Sequence, residues 1–473
     1  MNPRMTRRDC LTGILGSAAA LAGCVSGTRA GEDKPARPRN VLLIAVDDLN
    51  LHLGCYGHPL VKSPSIDRLA KRGVRFEHAY CQFPVCNPSR SSLLTSLRPE
   101  TTGVLDNRVP LLTRKPDAMT MPRWFREHGY VTASVGKIFH GTAKFSDPRA
   151  WDVELRPKGT PAGRGGEGRN LTGGVVTWCS WRAAEGTDDD QADGLVAKEA
   201  ARLLGEKREG PLFLAVGFHK PHDPFIAPKK YFDLYPLDRL VLPTVPDDAT
   251  AHLRHSIGSG WKQDFDKFTD RERREFMRAY YAGASFMDAQ LGRVLDALDR
   301  SGLAGDTVVL FFSDHGYQLG THGWWNKNTL YDESCRAPLI VATPGMPKAV
   351  QGRACSAFVE FIDFFPTLVE FCGLPAPPGI QGRSFAPLLW RPQGTHRDSA
   401  YTVVKRGEIL GRSVRTERWR YTEWDFGRQG AELYDHRADP GEYRNLAESA
   451  ENADTVKRLG ELLHQYANPS AQT

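Results

Sequence analysis

Val41-Leu42-Leu43-Ile44-Ala45-Val46 is an unbroken apolar run that ends abruptly in two carboxylates, Asp47-Asp48. A strand without polar alternation has to be covered on both faces, as strands are in a parallel sheet flanked by helices. The same texture returns in Pro211 to Phe218, which leads into His219-Lys220-Pro221-His222, and in Thr307 to Phe312, which leads into Asp314-His315-Gly316. Val74 to Tyr80, Tyr130 to Val135 and Pro338 to Ala342 read as further strands, and Tyr130 to Val135 delivers the chain to Lys137 and His140. Helical spacing fills the gaps. Ile66, Leu69 and Ala70 follow Ser63-Pro64 and stop at Gly73; Met121 to His128 stops at Gly129; Glu360 to Cys372 reads as another helix. Tyr280, Ala284, Met287, Leu291, Val294, Leu295 and Leu298 form a helical stripe before Gly302, and such a stripe reads as core. Strands alternating with helices predict a doubly wound α/β domain over 40–381, its sheet mainly parallel with helices on both faces.

From about Gly382 the texture changes. Tyr401 to Val404, Ser413 to Thr416 and Trp419 to Glu423 alternate as antiparallel strands do, and Thr455 to Tyr466 reads as a closing helix. Residues 382–473 are therefore expected to form a smaller C-terminal α+β subdomain. Gly141 to Asp190 is Gly-rich and irregular, with Trp151, Trp178 and Trp181, and is read as substrate-facing loops. Asn170-Leu171-Thr172 matches a glycosylation sequon, read as accidental.

Open α/β sheets carry their sites beyond the carboxyl ends of the strands. Asp47, Asp48, Lys137, His219, Asp314 and His315 all fall at such ends, which predicts one site. Adjacent carboxylates closing a buried strand repel each other and lose water, so they call for a cation. With Asp314 they offer three hard oxygen ligands, which suit Ca²⁺ or Mg²⁺ better than zinc. Cys86-Asn87-Pro88-Ser89-Arg90 is the other distinctive stretch. Pro88 suits a first helical position, Asn87 the cap before it, and Leu93, Leu94 and Leu97 give an apolar face. Cys86 is then expected just ahead of a helix N-terminus, where negative charge is favoured, with Arg90 one turn along to hold an anionic ester. Singly, each residue has a plainer reading: a structural cysteine, a solvated acidic pair, a surface histidine. Only the ordered set points to a site.

Cys86-x-Pro88-Ser89-Arg90, with Leu94-Thr95 and Arg98-Pro99 after it, resembles the signature of type I sulfatases of the alkaline phosphatase superfamily. The resemblance runs through most of the chain and is nearest to the iduronate-2-sulfatase-like group. It extends to Glu432-Leu433-Tyr434-Asp435, Asp439-Pro440-Gly441-Glu442 and Asn445-Leu446 near the C-terminus. It implies an alkaline-phosphatase-like fold and hydrolysis of sulfate monoesters on a sulfated carbohydrate, a sulfated uronate among the candidates. By the same resemblance Cys86 is converted to formylglycine by a formylglycine-generating enzyme, a transient partner. Asp47, Asp48, Asp314, His315 and the modified Cys86 would hold the metal, commonly calcium. Arg90 and Lys137 would steady the aldehyde hydrate, Asp314 would act as base, and His140 would aid collapse of the intermediate. His219 and Lys327 would hold sulfate and protonate the leaving oxygen. Lys220, Tyr317 and His322 are the candidate sugar contacts. Ser96 stands where the family usually has Gly, and His315 where many relatives have Asn. Two other readings stay open: a phosphonate or phosphate ester hydrolase of the same superfamily, and a glycan-binding surface lipoprotein without catalysis.

Arg4, Arg7 and Arg8 precede an apolar run from Leu11 to Ala22, too short to span a bilayer but suited to a signal peptide over residues 1–23. Thr6-Arg7-Arg8 resembles a twin-arginine signal, and Leu21-Ala22-Gly23-Cys24 a bacterial lipobox that would lipidate Cys24. Residues 24–39 read as a flexible tether. These features imply an exported bacterial lipoprotein whose membrane contact is the lipid alone. The net charge of +6, without a Lys/Arg-rich block, suits acidic substrates and gives no sign of nucleic-acid binding. Of nine cysteines, six remain after Cys10, Cys24 and Cys86 are set aside, a number that permits disulfides outside the cytoplasm. Oligomeric state is not legible.

Overall fold

The computed structural model describes residues 39–257 and 260–467. The signal, the lipobox cysteine Cys24 and all but the last residue of the tether lie outside the described residues. In chain order the strands are β1 (Asn40–Val46), β2 (Val74–Tyr80), β3 (Val131–Gly136), β4 (Val153–Leu155), β5 (Gly166–Asn170), β6 (Ser180–Ala184), β7 (Leu212–Phe218) and β8 (Phe225–Pro228). They continue as β9 (Thr307–Ser313), β10 (Leu339–Ala342), β11 (Ala354–Glu360), β12 (Ser399–Arg406), β13 (Ile409–Thr416), β14 (Trp419–Trp424) and β15 (Ala431–Asp435). Eight of them make the central sheet, in the order β11-β2-β10-β9-β1-β7-β3-β4.

The expected α/β architecture with a mainly parallel sheet is what the chain adopts. β1 lies between β7 and β9 and runs parallel to both. Its residues are divided between two cores. Leu42, Ile44 and Val46 pack on one face, where the long Asp270–Arg300 helix lies, and Val41, Leu43 and Ala45 pack on the other. Burying each of the larger side chains contributes about 1.5–3 kcal/mol, which is why no polar residue interrupts the run. The helix is longer than the stripe from Tyr280 to Leu298 because its first turn is fixed by a capping box, Thr269 with Glu272, ahead of any apolar periodicity.

Three local expectations change. β10 is antiparallel to both β9 and β2, since a short apolar run carries no information on strand direction. The helix expected from Glu360 starts only at Phe364, because Glu360 is the last residue of β11. Gly141 to Asp190 is not all loop: β5 and β6 form a hairpin that joins β8 in a three-stranded sheet. The sequon residue Asn170 is its clamp. Asn170 Nδ2 donates to Val176 O and Ser180 Oγ, both at 2.9 Å, and Oδ1 accepts from Thr172 N and Gly174 N, both at 2.8 Å.

β12 to β15 form a separate antiparallel sheet in sequence order. It braces the chain just before Cys86: Val403 N donates to Gln82 O at 2.9 Å and Thr402 Oγ1 to Cys81 O at 2.7 Å. Cys55, Cys81, Cys86, Cys179, Cys335, Cys355 and Cys372 are all free thiols. Among the described residues no helix is long and apolar enough to cross a membrane.

Candidate active site

Register builds the site. Val46 pairs with Phe218 on one side and Ser313 on the other, and Gly136 pairs with Gly217. The next residues along β9, β1, β7 and β3 are Asp314, Asp47, His219 and Lys137, so four chemically distinct groups emerge side by side at one sheet edge. The β3–β7 approach there is close: a Cβ on Gly217 would lie 2.1 Å from Lys137 O, so no other residue fits.

Asp47 sits among cations. Its Oδ1 is 3.3 Å from an Arg90 guanidinium nitrogen, and Oδ2 receives Lys137 Nζ and lies 3.4 Å from His219 Nδ1. Although burial works against it, Lys137, His222 and Arg90 hold the Asp47 carboxyl well below its ordinary range. Asp48 differs. Its backbone takes a positive φ of 65°, its carbonyl accepts Tyr280 OH at 2.6 Å, and its Oδ1 binds Lys327 Nζ. Its Oδ2 is buried without a hydrogen-bond partner. Burial, seconded by Asp47 and Asp314 against the pull of Lys327, pushes Asp48 up to about 6. An orphaned buried carboxylate oxygen beside two further acids is an arrangement that a divalent cation fits.

Arg90 holds the third acid. Its Nε donates to Asp314 Oδ2 at 2.8 Å, and its remaining donors reach Asp47, Lys137 O and Ile138 O. Cys86 is at the centre, 3.4 Å from both His315 Nε2 and Lys327 Nζ. His315 Nε2 also faces Asp48 at 3.4 Å and Asp314 at 3.5 Å. One ligand atom each from Asp47, Cys86, Asp314 and His315 lie within 4.8 Å of one another, and so do those of Asp47, Asp48, Cys86 and His222. This oxygen-rich donor set fits a hard cation such as Ca²⁺ or Mg²⁺.

The Cys86–Thr95 helix starts two residues earlier than expected. Val85 is its N-cap, Cys86 its first residue, and Asn87 no cap. Asn87 Nδ2 is spent instead on Asp106 O and Val109 O, both at 2.8 Å, fixing the helix to the following loop. At the other end Ser96 takes the left-handed conformation, φ 58°, which glycine adopts without strain. Its hydroxyl offsets the strain, donating to Ile362 O at 2.6 Å and accepting from Gly382 N at 3.1 Å.

Asp47, Asp48, Cys86, Arg90, Lys137, His219, Asp314, His315 and Lys327 thus converge. His140 follows Lys137, half-buried and with Nδ1 unpartnered; burial and then the Lys137 cation push it down to about 3, so it is neutral. The proposed sugar contacts fare differently. Tyr317 is fully buried, stacked on Tyr280 at 5.2 Å with its hydroxyl on Trp325 O, and has no face left for a sugar. The Lys220 ammonium is consumed by His222 O and Pro224 O, both at 2.7 Å, so it props the loop. His322 is buried against Tyr331, 3.9 Å between ring centres, apart from the groups around Cys86.

Two residues escaped the sequence reading. His222 Nε2 stands 3.9 Å from both Asp47 and Asp48, and the second histidine of His219-Lys220-Pro221-His222 was its signal. Asp193 is buried and accepts the backbone N–H groups of His219 at 2.9 Å and Lys220 at 2.7 Å. Nothing in the local sequence announces it, because it reaches the loop across the fold.

Comparison with known proteins agrees with this geometry. The sulfatase family model matches residues 39–374, and a model described as N-sulphoglucosamine sulphohydrolase, C-terminal, matches 320–468. Iduronate 2-sulfatase of Mus musculus is 36% identical over 438 residues, covering 81% of this chain and 77% of that one. A sulfatase of Formosa agariphila is 31% identical over 489 residues, covering 94% and 90%. Among solved structures, phosphonate monoester hydrolase of Agrobacterium radiobacter shares the fold with a TM-score of 0.75 at 24% identity, covering 91% of this chain and 96% of that one. A protein solved with its substrate D-glucosamine-2-N,6-O-disulfate does so with a TM-score of 0.72 at 23% identity, covering 91% and 97%. With its strand-end acids, its cysteine-headed helix and a family match over most of its length, the chain belongs to the sulfatase family and is a sulfuric ester hydrolase.

Proposed function

We propose that this protein hydrolyses sulfate monoesters carried by a sulfated sugar, a sulfated uronate being the favoured class, and that it does so with Cys86 converted to formylglycine and a Ca²⁺ or Mg²⁺ ion. The observation that carries the reading is Cys86 itself, held between His315 and Lys327 among three carboxylates. Burial first, and the negative field of Asp47 next, push its thiol well above the ordinary range, so an unmodified cysteine here is a poor nucleophile. The sugar class is supported by the names of relatives, iduronate 2-sulfatase and N-acetylglucosamine-6-O-sulfatase.

Converted to formylglycine, position 86 would supply a hydrated aldehyde whose hydroxyl attacks sulfur. A cation held by Asp47, Asp48, Asp314 and His315 would supply Lewis-acid neutralisation of the sulfuryl charge. The chain's own groups do the rest. Arg90 holds Asp314 and Asp47 in place, and Asp314 would take the proton released by the nucleophile. Lys327, charged despite burial because Asp48 and Asp47 face it, would offer its ammonium to a sulfuryl oxygen. His219, 38% exposed along its side chain with Nδ1 3.4 Å from Asp47, would meet the departing alkoxide. Burial, then Lys220 and Lys137, hold its pKa well below the ordinary imidazole range, so it would donate a hydrogen bond while the charged Lys327 supplies the proton. His140, neutral, would take the proton of the second hydroxyl as the C–O bond to sulfate breaks, which releases inorganic sulfate and returns the aldehyde. Export as a lipoprotein lipidated at Cys24 would place this activity outside the cytoplasm.

The test is release of inorganic sulfate from heparin, dermatan sulfate and ulvan fragments, with paired sulfate and phosphate esters of one phenol alongside. Sulfate release that is lost in Cys86→Ala supports the reading. Preference for the phosphate ester would replace it with the phosphohydrolase alternative.

A further inference from the structure

The β5–β6 turn and the segment before the long helix place an aromatic surface beside the site that no step above uses. Asn170 draws residues 170–180 into a turn through the hydrogen bonds of its side-chain amide. The turn holds Val175 out to solvent, 74% exposed, and presents Trp178 half-buried. Across from it Trp261 is 40% exposed, its ring 5.3 Å from that of Trp178 and nearly perpendicular, at 73°. Isolated exposed apolar residues need no explanation, but a packed tryptophan pair with an open edge does.

Its position is set by a short relay of contacts. Trp178 packs on Phe265 at 6.0 Å, Phe265 on Trp324 at 5.3 Å, and Trp324 Nε1 donates to Lys327 O at 2.8 Å. The pair is thus joined by packing to the segment that carries Lys327, and Cys179, next to Trp178, feels the charge of Asp223 in the loop that follows His222. A pyranose ring presents a face of C–H bonds with partial positive charge, which complements the negative face of an indole, and the ring hydroxyls stay in water. Around the pair the local charges are already matched, Lys262 with Asp266 and Lys267 with Asp264, so the surface is aromatic rather than ionic.

We propose that Trp178 and Trp261 form a stacking platform for a sugar ring beyond the one that carries the scissile sulfate, so that the preferred substrate is an oligosaccharide. This deepens the sulfatase reading and rests on it. The turn clamped by Asn170 pre-orders the platform, which spares the ligand the cost of ordering it.

The test uses the full-length protein with disaccharides and tetrasaccharides from heparin, dermatan sulfate and ulvan. Wild type turns over a tetrasaccharide with higher kcat/KM than the matching disaccharide. In Trp261→Ala that ratio falls by about tenfold, the worth of one good aromatic stack, with the loss in KM rather than kcat. Trp261→Tyr retains most of the preference, which a merely structural tryptophan would not require. Quenching of tryptophan fluorescence by the same tetrasaccharide, weakened in Trp178→Ala, reads binding without turnover. Absence of any length preference in wild type, or a ratio unchanged in both alanine variants, overturns the platform. So does a dimer that dissociates in Trp261→Ala while the length preference persists, for the surface then serves a second copy of the chain. Failure to release sulfate from any ester would instead defeat the sulfatase reading, and the quenching series would still decide the platform.

Discussion

Arg90 and Asp314, 224 residues apart in sequence, meet at 2.8 Å in a pocket where neither side chain is more than 2% exposed. Arg90 comes from the helix that begins at Cys86 and Asp314 from the end of β9, so this one contact ties the nucleophile helix to the sheet edge. Removing the guanidinium leaves buried Asp314 without this partner, leaves Asp47 to Lys137, and strips Lys137 O and Ile138 O of their donor. Arg90→Ala should lose about 3–5 kcal/mol of stability as well as nearly all turnover. Arg90→Lys should recover little of either, because one ammonium cannot reproduce a planar set of donors. Urea denaturation beside a sulfate-release assay measures both; a stable Arg90→Ala would refute the role of this pair.

Cation removal should register in stability before any assay of turnover. Asp48 Oδ2 has no hydrogen-bond partner among the described residues, and three acids share one pocket with Cys86 and His315. Chelation should lower the Tm, and Ca²⁺ or Mg²⁺ should restore it, a ligand at a hundredfold excess over its Kd contributing about 2.7 kcal/mol. Asp48→Asn should blunt the response. Melting curves and turnover that ignore chelator after exhaustive dialysis would contradict the metal assignment.

Ser96 offers a test of backbone strain. Its φ of 58° costs about 1–2 kcal/mol in any residue with a Cβ. Its hydroxyl recovers a similar amount, since each hydrogen bond is worth about 0.5–1.5 kcal/mol net. Ser96→Gly is therefore expected to be nearly neutral, and Ser96→Ala to destabilise by about 1–2 kcal/mol, as the strain stays and Ile362 O loses its donor. Chemical denaturation of the two variants decides, and equal stabilities would show the hydroxyl to be idle.

Acid should loosen the antiparallel sheet's attachment. Buried Glu442 accepts from Arg420 Nε at 2.5 Å and His436 Nε2 at 2.8 Å, while Arg420 also grips Asp332, which follows Tyr331 in the main fold. Burial raises Glu442, but Arg420 and His436 outweigh it and bring it to about 2. A depressed carboxyl contributes stability that is complete above its unfolded value and lost as pH falls toward the folded one, here from about 4.5 to about 2. The stability gap between wild type and Glu442→Gln should thus be wide near about pH 6 and narrower near about pH 3. A gap that stays constant with pH would remove Glu442 from the account.

The site was legible in sequence to the extent that strand ends are. Asp47, His219 and Asp314 each follow a continuous apolar run, and such runs mark where a buried strand stops. Direction was not legible, so β10 could be read only as a strand. Helix capping misled at Cys86, because Asn87 has long-range partners that outbid a local cap. β5, Gly166-Glu-Gly-Arg-Asn170, has no apolar alternation at all and exists through its pairing with β6 and the Asn170 clamp. Tyr317 belonged to the right motif but points into the core, and a motif does not state where its side chains point.

The central claim is that residue 86 acts as formylglycine, and the mass of the peptide that carries it tests this most directly. Protein from a host with a formylglycine-generating enzyme should give, at position 86, a residue with sulfur lost and an aldehyde oxygen gained, in proportion to its sulfatase activity. The same protein from a host lacking that enzyme should keep cysteine and be inactive. Full sulfate-ester turnover by protein in which residue 86 is wholly unmodified cysteine would contradict the account.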